Sequence, residues 1–152
     1  MGRSRANSRT SSKATPRTQV TDIDHVQLAA PRGCEAEARK FFGRLLGLAE
    51  VEKPEALEAR GGCWFRVGTR QLHIGVAANF IPATKAHPAF GVRDVEALYA
   101  TLEKAGVECL WDEAADGPRR FYARDPWGNR LEFTEPARTA ATARKTGKTG
   151  RR

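Results

Sequence analysis

The sequence predicts an α+β domain built from two βαβββ modules, residues 20–78 and 86–136. The apolar residues change from alternating to helical spacing and back to alternating, and this order occurs twice along the chain. Gly and Pro residues separate the segments where the chain has to turn. We therefore expect one domain with two similar halves, whose strands form curved mixed sheets around a shared cleft.

The first module opens with an alternating strand over residues 23–29, and a helix follows it. The helix is indicated by apolar residues spaced mostly three or four positions apart, at Ala38, Phe41, Phe42, Leu45 and Leu46. Gly47 is expected to end this helix, because glycine readily adopts the left-handed conformation found there. Three short strands over 48–52, 63–67 and 71–77 complete the module.

The second module repeats this order, with a strand over 87–92 and a helix that Asp94 can cap and Gly106 can end. The apolar positions of the helix are Val95, Leu98, Leu102 and Ala105. Strands are predicted over 107–111, 120–124 and 130–134. The turn Asp-Pro-Trp-Gly-Asn at 125–129 joins the last two strands, and its residue types are explained by turn chemistry alone.

The net charge of +8 in this chain of 152 residues is carried by its ends. Segments 1–19 and 137–152 hold 11 of the 26 basic residues and none of the 18 acidic ones, so the part between them has a net charge of −3. Both tails lack large apolar side chains, so ordering them would cost entropy without burying surface. We predict two disordered basic tails around a mildly acidic folded domain.

Composition also limits the class of protein. No apolar run approaches the ~20 residues that cross a bilayer, and the N-terminus lacks the apolar segment of a secretory signal, so we expect a cytoplasmic protein without membrane contact. Cys34, Cys63 and Cys109 form no Cys-x-x-Cys pair and are expected to be reduced thiols, mostly buried. Nucleic-acid binding is expected at most non-specifically, through the basic tails.

The three histidines and one glutamate occupy matching places in the two modules. His25 and His87 lie in the opening strands, and His73 and Glu132 lie in the closing strands at intervals of 48 and 45 residues. Strand alternation directs all four away from the apolar faces that should meet the helices. If the modules curl around one cleft, three imidazoles and a carboxylate converge there, which suits a divalent metal ion.

Two motifs give the chain a resemblance to a known family. The helix end Phe-Phe-Gly-Arg-Leu-Leu-Gly-Leu at 41–48 and the segment Asp-Pro-Trp-Gly-Asn-Arg-Leu-Glu at 125–132 are combined with the doubled βαβββ order. In these features residues 20–136 resemble the vicinal oxygen chelate superfamily of glyoxalases, extradiol dioxygenases, epimerases and bleomycin-resistance proteins.

The resemblance implies a metal site on the first and fourth strands of each module. The ligand positions of the family correspond here to His25, His73, His87 and Glu132. The implied cofactor is one divalent ion, Fe, Ni, Co, Zn or Mn. His73 departs from the family pattern, because glyoxalases and several relatives carry Glu or Gln at this place. This residue is therefore also considered as a substrate contact or as a catalytic acid or base.

Alternation places further polar side chains on the same face of the strands. Gln27, Trp64, Arg66 and Arg120 are candidate substrate contacts, and Arg124 is directed to the same side. Lys85 precedes His87 by two residues and, like Arg120, could bind an anionic group. Tyr122 could donate a hydrogen bond or a proton. The alternative for all of these residues is solvated surface charge and strand packing.

The leading function hypothesis is a metal-dependent enzyme that acts on a small substrate with vicinal oxygens, by lyase, isomerase or ring-cleaving dioxygenase chemistry. The alternative from another class is a metal-free protein that sequesters a small toxic compound, as bleomycin-resistance proteins do. A third hypothesis is a nucleic-acid-associated protein that acts through its tails. The resemblance also implies a homodimer, because the family pairs these modules within or between chains.

Overall fold

The computed structural model describes residues 19–113 and 117–135. Residues 1–18 and 136–152 lie outside these ranges. They include both predicted tails except Gln19, so the disorder of the tails stays a prediction. Within the described ranges the α+β class and the two βαβββ modules are confirmed. Each module forms one four-stranded mixed sheet, and neither sheet closes into a barrel.

The first sheet has the strand order β1-β4-β3-β2, with β1 parallel to β4 and the other neighbours antiparallel. The elements of this module are β1 (His25–Ala30), α1 (Glu35–Ala38), a π-helical segment (Arg39–Leu45), β2 (Glu50–Val51), α2 (Glu55–Glu58), β3 (Cys63–Val67) and β4 (Arg70–Val76). The short helix α2 was not predicted. Its four residues are too few to produce a recognisable apolar period.

The second sheet repeats this arrangement with the order β5-β8-β7-β6. Its elements are β5 (Ala89–Gly91), α3 (Val95–Lys104), β6 (Cys109–Trp111), β7 (Arg120–Arg124) and β8 (Arg130–Thr134). Strand β5 begins two residues later than predicted, although the Pro88 carbonyl still accepts a hydrogen bond from the Glu132 amide at 3.1 Å. Proline lacks the amide that a regular strand pair would use in return.

The two main helical segments differ in how closely they follow the prediction. Asp94 caps α3 as expected, and its Oδ1 accepts a hydrogen bond from the Ala97 amide at 2.9 Å. The predicted first helix contains a wider turn, in which the Leu46 amide donates to the Phe41 carbonyl five residues earlier. This turn accommodates two adjacent buried rings, Phe41 and Phe42, on the side that faces the core.

The core lies between the helices and the inner faces of both sheets. Its largest fully buried side chains include Phe42, Phe65, Phe121 and Phe133. Val26 alternates with His25 and so belongs to the apolar face that was expected to meet the helices, but it is 37% exposed, because β1 is an edge strand and only its second half is covered. No helix among residues 19–113 and 117–135 is long and apolar enough to span a membrane.

The three cysteines are free thiols, as predicted. Cys34 and Cys63 are buried, and Cys109 is partly buried. Burial raises the pKa of Cys63 and of Cys109 to about 11, so both remain protonated near neutral pH.

The turn at 125–129 connects the modules through one buried amide. Asn129 Nδ2 donates to the Ala29 carbonyl at 2.9 Å and to Asp125 Oδ2 at 2.6 Å, and Asn129 Oδ1 accepts from the Ala83 amide at 2.9 Å. Burial raises the pKa of Asp125, and its hydrogen bonds with Asn129 and the turn amides oppose that shift. The turn motif thus joins β1, the intermodule segment and β8.

Candidate metal centre

The four predicted metal ligands form two separate pairs in the single chain. His25 and His73 lie together on the first sheet, and His87 and Glu132 lie together on the second. Among residues 19–113 and 117–135, no three His, Cys, Asp or Glu side chains are grouped so that they could hold one metal ion. Each pair therefore combines one residue of an opening strand with one residue of a closing strand of the same module. The four residues do not meet within one chain.

The pair on the second sheet has a defined proton arrangement. His87 Nδ1 lies 2.8 Å from the Lys85 carbonyl oxygen, which can only accept, so Nδ1 carries the hydrogen. In the neutral ring, Nε2 then presents an electron pair to Glu132 Oε2, 3.0 Å away. Two electron-pair donors at this distance need a cation between them. A divalent metal ion bound by both atoms would meet that need.

The pair on the first sheet is part of a stack of three rings. The His73 ring lies 4.2 Å from the His25 ring on one side and 3.9 Å from the Trp64 ring on the other, measured between centroids. Burial lowers the pKa of His73, and the nearby His25 lowers it further, so the neutral imidazole is favoured. A neutral imidazole is the form that binds a metal ion or accepts a proton.

Hydrogen bonds also set the orientation of both rings in this stack. His25 Nδ1 lies 2.8 Å from Asp24 Oδ1, and His73 Nε2 lies 2.8 Å from Gln71 Oε1. Each oxygen accepts, so each of these nitrogens carries a hydrogen and the opposite ring nitrogen has the electron pair. Histidine ligands are commonly oriented in this way by a partner on the second nitrogen.

Gln27 and Arg66 flank the first pair. Gln27 is the register partner of His73, and its carboxamide lies over Gly75, where a Cβ atom would come within 2.7 Å of Gln27 Cδ. Arg66 is exposed on the neighbouring strand, opposite Gln71. Trp64 and Gln27 thus lie beside His73 as the alternation suggested, and Arg66 lies at the exposed end of the same face.

Tyr122 and Arg120 contact the second pair. The Tyr122 ring packs edge-on against His87, with centroids 5.6 Å apart, and its hydroxyl donates to Asp112 Oδ2 at 3.3 Å. Arg120 Nη1 lies 3.5 Å from Glu132 Oε1. Its buried Nε lies 3.3 Å from Asp112 Oδ2 but has no hydrogen-bond partner among the described residues.

Lys85 contributes its backbone carbonyl to His87, and the expected role of its side chain in binding an anionic group stays a prediction. The prediction omitted Asp112 and Gln71, which position Tyr122 and His73 respectively. Gln71 could have been found from the sequence, since it precedes His73 by two residues and shares its face. Asp112 directly follows a predicted strand, which is a weaker signal.

Comparison with known proteins agrees with this architecture. Residues 22–133 match the model of the Glyoxalase/Bleomycin resistance protein/Dioxygenase superfamily. A solved structure of a glyoxalase family protein from Bacillus anthracis is 51% identical, and the match covers 78% of this chain and 98% of that chain with a TM-score of 0.76. A comparison with curated protein sequences finds no match.

Two more distant structures share the fold. Lactoylglutathione lyase from Agrobacterium tumefaciens is 24% identical over 78% of this chain and 96% of that chain, with a TM-score of 0.59. The oxidase ChaP-H2 is 20% identical over 76% of this chain and 94% of that chain, with a TM-score of 0.60. The fold and the paired side chains define a protein of the two-module βαβββ class. The chain belongs to the glyoxalase/bleomycin resistance protein/dioxygenase superfamily.

Proposed function

We propose that the protein is a divalent-metal-dependent enzyme that acts on a small substrate with vicinal oxygens, by lyase, isomerase or ring-cleaving dioxygenase chemistry. The observation that carries this proposal is the His87–Glu132 pair. Its Nε2 and Oε2 atoms are 3.0 Å apart, and the Lys85 carbonyl fixes the tautomer that leaves Nε2 available. Superfamily membership and the fold shared with a lyase and an oxidase support the same class.

The donor set fits a divalent ion of borderline softness, such as Fe, Ni, Co, Zn or Mn. Three imidazoles and one carboxylate, at His25, His73, His87 and Glu132, would hold it. When bound, such an ion supplies Lewis-acid stabilisation of negative charge on adjacent substrate oxygens. With only one anionic ligand the site would retain a net positive charge, which favours that role.

The separation of the two pairs supports a site completed by a second copy of the chain in a homodimer. In this arrangement the His25–His73 pair of one protomer faces the His87–Glu132 pair of its partner. Strand β1 is an edge strand whose first three residues are exposed, and the neighbouring Val20 and Ile23 are 78% and 66% exposed. An open edge with apolar side chains is a suitable surface for pairing between chains.

The residues around the site have roles in proton handling and substrate orientation. His73 is 6% exposed and is favoured in its neutral form, so its one unprotonated nitrogen serves a single role: it binds the ion as the fourth ligand or, where His25, His87 and Glu132 hold the ion, it accepts a proton from a bound substrate. The Tyr122 hydroxyl is oriented by Asp112 and can donate a hydrogen bond. Trp64 covers one face of His73 and keeps water away from that ring.

Metal binding and mixed dimers test this proposal. Chelator-treated protein is titrated calorimetrically with Zn²⁺, Co²⁺, Ni²⁺, Mn²⁺ and, without oxygen, Fe²⁺. We expect one site per protomer in the wild type and none in His25→Ala or Glu132→Ala, with His73→Ala binding more weakly. If neither the dialysed wild type nor any reconstituted sample binds metal, the enzyme proposal is wrong.

The two variants together show which chains form a site. In a mixed dimer, the intact first module of the Glu132→Ala chain faces the intact second module of the His25→Ala chain, so one of the two sites is complete. Unfolding and refolding the variants together should therefore restore metal binding at about a quarter of the sites, since about half of the dimers are mixed. A site within one chain predicts no recovery, and each variant refolded alone is the control.

Metal-free sequestration of a small compound is the second candidate function. It is favoured by the stack of Trp64, His73 and His25, which presents aromatic surface without an ion. The tryptophan fluorescence of chelator-treated protein, titrated with planar compounds and compared between wild type and Trp64→Phe, tests it. Tight binding that is insensitive to chelator and to Glu132→Ala supports sequestration, whereas binding that requires metal excludes it.

A further inference from the structure

Two arginines lie directly opposite each other on neighbouring strands of the second sheet, Arg124 in β7 and Arg130 in β8. They occupy the same face as Tyr122 and Glu132, because opposed residues alternate in step along both strands. Like charges at directly opposed positions destabilise a sheet. Both arginines lie on the face that carries the candidate metal ligand Glu132, and this placement indicates a use for two adjacent positive charges.

A cavity of about 260 Å³ opens at this pair. Its lining combines Arg124 and Arg130 with Tyr122, Leu110 and Thr84, and it includes one acidic residue, Glu108. It therefore offers positive charge, a hydroxyl-bearing side chain and apolar surface side by side. Such a combination suits a small organic anion better than a hydrated inorganic ion.

The chain positions both guanidinium groups without neutralising them fully. Arg130 lies over the Tyr122 ring, with Cζ 3.7 Å from the centroid, and forms no ion pair within the described part of the chain. Arg124 Nη1 donates to the Gly128 carbonyl at 3.3 Å, and its Nε lies 3.9 Å from the exposed carboxylate of Glu108. Glu108 offsets part of one charge, so the cavity keeps a positive balance.

We propose that Arg124 and Arg130 bind an anionic group of the substrate, a carboxylate or a phosphate, while the vicinal oxygens of the substrate lie at Glu132. The second half of this statement rests on the proposed function. The strand register places the arginine pair two residues from the Tyr122–Glu132 pair, a distance of about 7 Å. The substrate class is thus a small compound that carries an anionic group close to its vicinal oxygens, so that one molecule can reach both residue pairs.

Matched probes separate the two parts of the proposal. The probes are 3,4-dihydroxybenzoate, its neutral carboxamide, and two anions without vicinal oxygens, benzoate and phenyl phosphate. Dissociation constants are measured calorimetrically for the Zn²⁺-loaded and the metal-free full-length protein. The variants are Arg124→Gln, Arg130→Gln and, as a charge-matched control, Arg93→Gln in the exposed loop before α3.

We expect wild type to bind 3,4-dihydroxybenzoate at least about tenfold more tightly than the carboxamide, as a charged hydrogen-bonding pair would give. Arg130→Gln should reduce this preference to within about twofold and leave carboxamide binding unchanged, and Arg124→Gln should act in the same direction. Arg93→Gln should retain the full preference. Equal binding of acid and amide by the wild type overturns the proposal, as does an equal loss of both probes in Arg130→Gln.

The anions without vicinal oxygens distinguish failure of this proposal from failure of the proposed function. Binding of benzoate or phenyl phosphate that depends on Arg130, with no metal dependence of either dihydroxy probe, keeps the anion subsite and rejects the metal-dependent enzyme. The opposite result is carboxamide binding that requires the metal and Glu132, with no anion whose binding changes in Arg124→Gln or Arg130→Gln. It rejects the anion subsite and keeps the metal-dependent enzyme. The tighter of benzoate and phenyl phosphate identifies the anionic group.

Discussion

The side-chain amide of Asn129 donates a hydrogen bond to the backbone carbonyl of Ala29, 2.9 Å away and 100 residues earlier in the chain. This contact joins the turn before β8 to the edge strand of the other module. Because Asn129 is 1% exposed, water cannot replace its partners. Turn chemistry alone explains the residue types of this motif. The motif also fixes how the two modules meet.

Asn129→Ala should destabilise the protein by about 2 kcal/mol, since it leaves the partly buried Ala29 carbonyl and Ala83 amide and the buried Asp125 carboxylate without their partner. The free energy of unfolding is measured by denaturant titration. Asn79→Ala, at an exposed turn position, is the control and should change stability by less than about 0.5 kcal/mol. Equal effects of the two substitutions would show that the intermodule contact carries no stability.

Gly62→Ala should be more damaging than Gly47→Ala, although both glycines have a positive φ, 81° and 71°. A Cβ atom at Gly62 would lie 2.0 Å from the Ile74 carbonyl oxygen, whereas nothing lies within 4 Å at Gly47. We expect about 1–2 kcal/mol for the backbone conformation in each variant and about 1–3 kcal/mol more at Gly62 for the displaced strand. Thermal unfolding of both variants tests this, and similar melting temperatures would contradict it.

The stability of the metal-free protein should depend on pH through His73. Burial lowers the pKa of this imidazole, so below the unfolded value of about 6.5 the unfolded chain binds more protons than the folded one. The stability of the folded protein therefore has its full value, as far as His73 is concerned, above about pH 6.5. It decreases as the pH falls from there through the lower pKa of His73 in the folded state. The stability difference between wild type and His73→Gln should shrink between pH 7.5 and 5, and a constant difference would refute this.

Asp112 and Arg120 should affect metal affinity with opposite signs. Arg120 lies between Asp112 and Glu132, so Asp112→Ala leaves its positive charge to Glu132 alone and should weaken metal binding about tenfold. Arg120→Gln removes the competing cation and should strengthen binding. Glu113→Ala, an exposed neighbour, serves as the control. Calorimetric Zn²⁺ titration measures the effects, and weakening by both substitutions would indicate a merely structural role.

Much of the fold follows from local patterns in the sequence. Strands β3, β7 and β8 coincide with the predicted ranges, because each combines alternation with a glycine-containing turn beside it. Asp94 and Gly106 mark the two ends of α3, because their side-chain and backbone preferences act within a few residues. Such short-range signals need no knowledge of the tertiary structure.

The arrangement of the candidate site depended on longer-range contacts. Alternation gave the face on which His25, His73, His87 and Glu132 lie, but not the distance between the two sheets that carry them. That distance is set by helix packing and by Asn129, whose partners are 46 and 100 residues away. The opposed pair Arg124 and Arg130 likewise requires the register of a formed hairpin.

The π-helical segment Arg39–Leu45 has a consequence for how related chains can differ in length. A turn closed by a hydrogen bond between Leu46 and Phe41 contains one residue more than an α-helical turn. A related chain that lacks one residue here could close the same turn with ordinary α-helical hydrogen bonds. Insertions and deletions of a single residue can thus be absorbed in this helix, without a shift of His25 or Trp64 in the adjoining strands.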